Sequence, residues 1–437
     1  MNEALRIVIV AEHASFRFGG EAALPLHYFR VMRRRGVAVW LVVHARTRNE
    51  LSELFPDDPH IRYVEDTFFH RLTDRLGAWL PARIESFTTG YARRLAGQCT
   101  GKRLVRTLID EFQIDVVHQP MPVSPREPSM MFGLGVPVII GPMNGNIGFP
   151  PAFRSYQGHA VSAVLGLGRL ASRLLNRLIP GKLLSAALLV ANDRTKNALP
   201  PQVHDRVIRV VENGVDFSLW GNQFDTPKRA TDVPNFVFLG RLVGWKAVEL
   251  LLLAFRSAAA QAPMSLTIVG DGPERDRLEK TCRDWGMLTH DAPKDGEVQF
   301  TGWRSQTECA ALLRRSSALV LTSLMECGGA VILEAMAANR PVIATDWGGP
   351  ADYLDSSCGI LVPPHDAASL AAGFTVAMVR LAQSPDLCEQ MGQAGYRKAA
   401  SLFDWEVKVD RVLDIYRDAI KVHASARPTQ PARRSMP

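Results

Sequence analysis

Two doubly wound α/β domains are what this sequence predicts, on three observations. The chain has 437 residues, more than one hydrophobic core usually serves. Short apolar runs, mostly β-branched and unalternated, recur from end to end, as strands buried on both faces of a parallel sheet do. Amphipathic helical patterns fill the intervals, and strand–helix alternation in two sets means two such sheets.

In the first half the strand candidates are RIVIVAE, VAVWLVVHA, IDVVHQP, PVIIGP and ALLVAN. In the second they are NFVFLGR, LTIVGDG, VQFTGW, ALVLTS, PVIATD and GILVPP. EAALPLHYFRVMRRRG and KAVELLLLAFRSAAA are helix candidates between them. Turn-rich NALPPQVHD and NQFDTPKRATDVPN put the break within 195–235, with domains at 1–200 and 201–400. WEVKVDRVLDIYRDAI is one more helix, in 401–423. The Pro- and Arg-rich end, 424–437, reads as a disordered tail.

Hydrophobic residues make up 47% and charged residues 22%, so the chain is globular rather than disordered. The net charge of +7 is unevenly placed. Residues 1–200 hold 25 Lys/Arg against 16 Asp/Glu, and the remainder 26 against 28. A basic first half fits either an anionic partner or a solvated surface. It has no helix-turn-helix signal and no aromatic strand platform, so nucleic acid is not an expected partner. The six cysteines are scattered, without C-x-x-C or a nearby His cluster, which speaks against a disulfide framework or a zinc site. The N-terminal apolar run is too short for a signal peptide and no run is long enough to span a membrane; a cytoplasmic location is expected. Two segments, 68–97 and 161–184, mix bulky apolar residues with Arg and Lys. Such helices either lie on an anionic membrane or pack on the domain with a solvated basic face.

Ligands of open α/β sheets bind at the carboxyl ends of the strands. NFVFLG leads into Arg241 and Lys246, in GRLVGWK. A forked guanidinium and an ammonium there can clamp a diphosphate, or form a surface pair beside a loop. LTIVG leads into DGPE, where Gly270 and Gly272 permit a tight turn and Pro273 sits where a helix begins. No G-x-G-x-x-G is present.

ALVLTS leads into MECGGAVILEA. A helix starting near Gly328 or Gly329 leaves N–H groups open to an anion, aided by the helix dipole. Glu326 then lies in the loop before the first turn, and Glu334 about two turns in. Carboxylates beside an anion-binding nest suit a ligand with both phosphates and sugars. Otherwise Glu326 caps the helix and Glu334 is an exposed helix residue. The neighbours of Glu334 are nearly all apolar, and a carboxylate among them needs a partner.

At the strand ends of the first half, Gly19 and Gly20 open a helix and allow close backbone approach. His118, in VVHQP, is a candidate acid, base or hydroxyl partner, or a structural histidine. IIGPMNGNIGFPPAF, 139–153, is long enough to be a binding loop.

Taken in order, these motifs resemble the retaining, GT-B fold glycosyltransferases of family 4. The resemblance rests on GRLVGWKAVELLLLAF, VGDGPE, FTGW, the E-x7-E pair Glu326 and Glu334, NGVD at 213–216 and FDWEVKVDRVLDIY. FGGEAALPLHYFRVMRRRGVAVWLVV is similar to that family's Gly-Gly helix start, and the match runs over about 6–420. It implies two Rossmann-like domains with a deep interdomain cleft, the first for acceptor, the second for donor, and a last helix crossing back to the first. The donor it implies is a nucleoside diphosphate sugar. Arg241 and Lys246 would hold the diphosphate, Glu334 the ribose hydroxyls, and Glu326 with Cys327, Gly328, Gly329 and Ala330 the sugar and phosphate. Gly270 would lie at the donor, and Gly19–Gly20 would close on it from the other domain. Asn144 and Gly145 would face the acceptor, and Glu326 and His118 would be the catalytic pair. A departing phosphate oxygen would take the acceptor's proton.

The chain departs from the family pattern at three places. Pro120 stands where many relatives have the second His of His-x-His, Ala247 follows Lys246 where Gly is usual, and GPMNGN replaces a His-Asp pair. No D-x-D is present, so no metal and no cofactor is expected. The implied function is a hexosyltransferase-type enzyme (EC 2.4) that glycosylates a glycan or lipid-linked acceptor in cell-surface polysaccharide or glycolipid synthesis, with an anionic membrane face as a candidate partner. The alternatives are a non-catalytic sugar-nucleotide-binding subunit, or an epimerase or sugar-phosphate synthase of the same fold.

Overall fold

β-branched runs, pinned between helices, form two seven-stranded sheets. The structure, a computed structural model, describes residues 5–18, 20–77, 79, 89–157, 174–221 and 233–425; Gly19 and the expected tail beyond Ser425 lie outside them. The chain divides into two compact units. Unit 1 takes in the described residues within 1–146, 167–212 and 409–437, and unit 2 those within 147–166 and 213–408.

In unit 1 the strands are β1 (Arg6–Val10), β2 (Ala38–His44), β3 (Ile61–Val64), β4 (Val116–Gln119), β5 (Val138–Met143), β6 (Ala187–Val190) and β7 (Val207–Arg209). They lie in the order β3-β2-β1-β4-β5-β6-β7, every pair parallel. Ile7, Val8, Ile9, Leu41, Val42 and Ile139 have no exposed surface. That two-sided burial explains why the sequence shows no alternation. The helix Gly20–Arg34 buries Leu24, Leu26, Tyr28, Phe29 and Met32.

In unit 2 the strands are β8 (Asn235–Leu239), β9 (Ser265–Val269), β10 (Leu288–Thr289), β11 (Val298–Gly302), β12 (Ala318–Leu321), β13 (Val342–Thr345) and β14 (Gly359–Val362), in the order β10-β11-β9-β8-β12-β13-β14. These pairs are parallel as well, so the loops that leave their carboxyl ends gather along one edge. Order reverses beside β8, the first strand of the unit, which is where doubly wound sheets open a crevice.

Three strands escape the sequence pattern: β3, β7 and β10. Each has two to four residues, lies at or near a sheet edge and carries half-buried positions. Among the described residues the units divide between Glu212 and Asn213, after Asn146 and before Val409. The helix Trp405–Ser425 therefore starts in unit 2 and ends in unit 1. The loop 139–153 is shared between the units in the same way, at Asn146 and Ile147.

Candidate functional site

In unit 2 the loop after β8 runs through Gly240 and the exposed Arg241 into a 3-10 turn, Gly244–Lys246, and the helix Val248–Ala259. Ala247 joins turn to helix at φ 49°, ψ 39°, a left-handed conformation that suits glycine better than alanine. The loop after β12 is stitched to this one. Thr322 Oγ1 donates to Lys246 O at 3.0 Å and Ala247 O at 3.1 Å, and Leu324 N donates to Trp245 O at 2.8 Å. Across the same seam Lys246 Nζ forms an ion pair with Glu326 Oε2, each side chain 16% exposed. Arg241 has no ion-pair partner among the described residues.

The helix Ala330–Ala337 begins after Gly329, whose φ of 92° only glycine adopts readily. No side chain caps it, so the first-turn amides remain open to a ligand acceptor. Glu326 is not the cap; its carboxylate goes to Lys246 instead, and it is not the free hydroxyl acceptor that the sequence suggested. Its backbone oxygen accepts from Gly349 N at 2.8 Å. Gly348 and Gly349 make that contact possible: a Cβ on Gly348 would meet Glu326 O at 2.4 Å and one on Gly349 would meet Gly328 O at 2.0 Å. Trp347 Nε1 donates to Gly148 O at 2.8 Å. The sequence pattern did not single out this β13 loop. Cys327 is exposed, Gly328 buried, and Gly329 and Ala330 half-buried.

Glu334 lies just over one turn into the helix, not two. It keeps some exposed surface, yet desolvation pushes its carboxyl up to about 8, because Val331, Ile332, Leu333, Ala335 and Met336 are buried around it. No hydrogen bond or ion pair holds this carboxylate among the described residues. Gly270 has a backbone reason for being glycine: at φ 136° a Cβ would sit 1.9 Å from Gly240 O. It lets the loops after β8 and β9 cross, so its place in the sequence need not reflect a ligand. Sequence reasoning also passed over Trp303, 74% exposed directly after β11, and Trp245, 40% exposed beside Lys246. The signal was an aromatic residue immediately after a strand's carboxyl end, in FTGW.

Unit 1 holds the remaining expected residues. Gly20 opens its helix with nothing within 4 Å of an added Cβ, which leaves room for close approach. His118 sits in β4 with no exposed surface. Its Nε2 lies 2.6 Å from Gly141 O and its Nδ1 2.6 Å from Tyr416 Oη. A carbonyl only accepts, so Nε2 carries the proton and Nδ1 accepts from the tyrosine. Burial lowers the imidazole to about 4. With both nitrogens engaged and no surface, His118 cannot touch a reacting group, and the catalytic role expected of it gives way to a structural one.

Asn144 is buried too: Nδ2 donates to Glu212 Oε1 at 2.8 Å and Oδ1 accepts from Asn192 Nδ2 at 3.1 Å. Its amide is consumed inside unit 1 rather than presented to an acceptor. Gly145 N donates to Thr195 Oγ1 at 3.1 Å, and a Cβ there would meet Pro125 Cδ at 2.9 Å. Among the described residues no group of three or more His, Cys, Asp or Glu could hold a metal ion, and no helix is long and apolar enough to cross a membrane.

The glycosyl transferases group 1 family model matches residues 233–379, the segment that carries β8 to β14. Glycogen synthase of Mycobacterium tuberculosis is 29% identical over 226 residues, 51% of this chain and 51% of that protein. The lipopolysaccharide core biosynthesis glycosyltransferase LpsE of Rhizobium meliloti is 30% identical over 216 residues, 48% of this chain and 58% of that protein. The chain spans about half the length of the curated relatives it matches. Among solved structures, Anabaena HepE in complex with UDP superimposes with a TM-score of 0.63 over 95% of this chain and 100% of that one, at 14% identity. The likeness at that identity is one of fold, and it covers both sheets. Residues 233–379 of this chain thus match the glycosyl transferases group 1 model, and its two parallel-sheet units have the fold of GT-B glycosyltransferase structures.

Proposed function

We propose that this protein is a retaining glycosyltransferase of family 4, moving a sugar from a nucleoside diphosphate donor to a glycan or lipid-linked acceptor. The observation that carries the reading is Glu334. A desolvated carboxylate without a partner among the described residues, on a helix whose open N-terminus is fronted by glycines, needs hydroxyl donors and an anion together. A nucleotide sugar offers both. The relatives' names support it: a glycogen synthase, a lipopolysaccharide core glycosyltransferase, and a neighbour in fold that binds UDP.

In this reading Arg241, Lys246 and the amides of Gly328, Gly329 and Ala330 take the diphosphate, and Glu334 accepts from the ribose. Lys246 then lies between phosphate and Glu326, which turns toward the donor sugar. The C1–O bond to phosphate breaks as the acceptor oxygen bonds to C1 on the same face. The acceptor's proton passes to the departing phosphate oxygen. Positive charge at the diphosphate is worth most as that bond breaks. The cations and amides carry this charge, and no metal is assigned a part.

The test is release of nucleoside diphosphate from a panel of UDP-, GDP- and ADP-sugars with glycan and lipid-linked acceptors. Glu334→Gln should raise the donor KM roughly tenfold or more with the fold intact. Arg241→Ala with Lys246→Ala should lower kcat/KM by about a thousandfold. Unchanged turnover in both variants would overturn the assignment. Donor binding without turnover across the panel would mark a non-catalytic subunit.

A further inference from the structure

The helix Phe68–Gly77 is mounted with its apolar side outward. His70 is 1% exposed and Thr73 5%, whereas Phe68 is 75%, Phe69 45%, Leu72 41% and Leu76 55% exposed. Trp79, just past the helix, is 89% exposed. At one turn per 3.6 residues, the four outward apolar residues share an arc of about 100°. His70 lies on the opposite side, and buried Thr73 on the flank next to Phe69. On the buried side, His70 Nδ1 accepts from Thr67 N at 3.2 Å, and Thr73 Oγ1 donates to His70 O at 2.9 Å. Beneath it, a Cβ on Gly97 of the helix Thr89–Phe112 would lie 3.5 Å from His70 Nε2. A polar seat thus holds the helix while five large apolar side chains face out together, which single surface leucines do not do.

Charge identifies what covers this face. Arg71 and Arg75 are exposed and fall along one border of the apolar arc. A second stretch of unit 1, residues 174–184, repeats the combination: Leu174 is 59%, Leu178 69% and Leu184 63% exposed, with Arg177 exposed among them. This second stretch and the helix Thr89–Phe112, which lies under the Phe68–Gly77 helix at Gly97, are both tied to the loop 124–130. Asn176 Nδ2 donates to Arg126 O at 3.0 Å and Lys182 Nζ to Ser124 O at 2.9 Å. From the other side, Met130 N donates to Gln98 Oε1 at 2.9 Å and Arg94 pairs with Glu127 at 3.0 Å. Aromatic and leucine side chains bordered by arginines match a bilayer interface, where rings sit at headgroup depth and guanidinium groups meet lipid phosphates.

We propose that the outward face of the Phe68–Gly77 helix, continued by Trp79, docks unit 1 on an anionic lipid bilayer. Phe68, Leu72, Leu76 and Trp79 enter the headgroup region, and Arg71 and Arg75 bind the anionic headgroups. Docking of this kind does not depend on glycosyl transfer and can be read without it.

Sedimentation of the full chain with vesicles measures it, using phosphatidylcholine with about one third phosphatidylglycerol against phosphatidylcholine alone. Wild type should bind the anionic vesicles at low salt roughly tenfold more tightly than the neutral ones, and lose most of that preference at about 0.5 M salt. Leu72→Glu with Leu76→Glu should cut binding roughly tenfold or more with an unchanged melting temperature, and Leu72→Met with Leu76→Met should retain it. Arg71→Glu with Arg75→Glu should remove the anionic preference. Absence of wild-type binding at low salt, or wild-type binding by a folded Leu72→Glu, Leu76→Glu variant, overturns the proposal. So does a wild-type dimer that the same glutamates convert to monomer without any vesicle binding, since the face would then join two copies of the chain.

Discussion

Lys246 and Glu326, eighty residues apart in the chain, close the seam between the β8 and β12 loops with an ion pair. One comes from a cationic motif and the other from an acidic one, and the structure makes them partners. Each side chain is 16% exposed, so removing one leaves the other largely buried and uncompensated, whereas removing both does not. Glu326→Ala should therefore destabilise the protein by about 1–3 kcal/mol, and so should Lys246→Ala. The double variant should cost less than their sum. A double-mutant cycle by urea unfolding checks this, and additivity within about 0.5 kcal/mol would mean the pair contributes nothing.

His118 gives a second prediction. Its neutral imidazole joins β4 to Gly141 and to Tyr416, and its pKa is lowered to about 4, below the usual histidine range. The unfolded chain then binds the extra proton first. Stability is fully present above about 6.5 and is lost as pH falls toward 4, by up to about 3 kcal/mol. His118→Leu should lower stability at pH 7 by about 2–3 kcal/mol through the orphaned Tyr416 hydroxyl and Gly141 carbonyl. It should also flatten the acid limb of the stability profile. Turnover by the folded fraction at pH 7.5 should stay within about threefold of wild type; a loss of several hundredfold would restore a catalytic role.

The two-sheet architecture was legible because buried parallel strands advertise themselves as unalternated apolar runs. β3, β7 and β10 were not, since short edge strands with half-buried positions lack that signature. That Arg241, Lys246, Glu326 and Glu334 follow the carboxyl ends of β8 and β12 could be read from residue type and strand position alone. What could not be read was pairing: nothing in a linear pattern says that Lys246 takes Glu326, or that Gly270 is glycine because Gly240 O lies against it. The pairing of His118 was hidden for the same reason, since its partners Gly141 and Tyr416 lie 23 and 298 residues away.

Ala247 offers a test of backbone strain. At φ 49° and ψ 39° it adopts a conformation that is costly for any residue with a Cβ. Glycine, usual at this position in the resembling family, removes that cost but adds backbone freedom to the unfolded chain. Ala247→Gly should raise stability by about 0.5 kcal/mol. Ala247→Val should lower it by about 1–2 kcal/mol, because a β-branched side chain tolerates the left-handed region least. Thermal unfolding of the three proteins ranks them, and Val at or above Ala would show that the turn relaxes freely.

Glu334 makes the sharpest pH prediction. Its folded pKa is raised to about 8, so between about 4.5 and 8 the folded state holds a proton that the unfolded chain has released. Stability must then fall as pH rises through that window. The residue keeps some exposed surface, which discounts the full shift to about 1–2 kcal/mol between pH 5 and 8. Glu334→Gln mimics the protonated form. It should match wild type at pH 5 and exceed it by several degrees in melting temperature at pH 8, roughly what that energy gives. A nucleoside diphosphate whose ribose hydroxyls donate to the carboxylate favours its ionised form. Ligand-induced stabilisation of wild type should therefore hold or grow toward pH 8 and be markedly smaller in Glu334→Gln. Equal ligand shifts in both proteins across that range would place the ribose elsewhere.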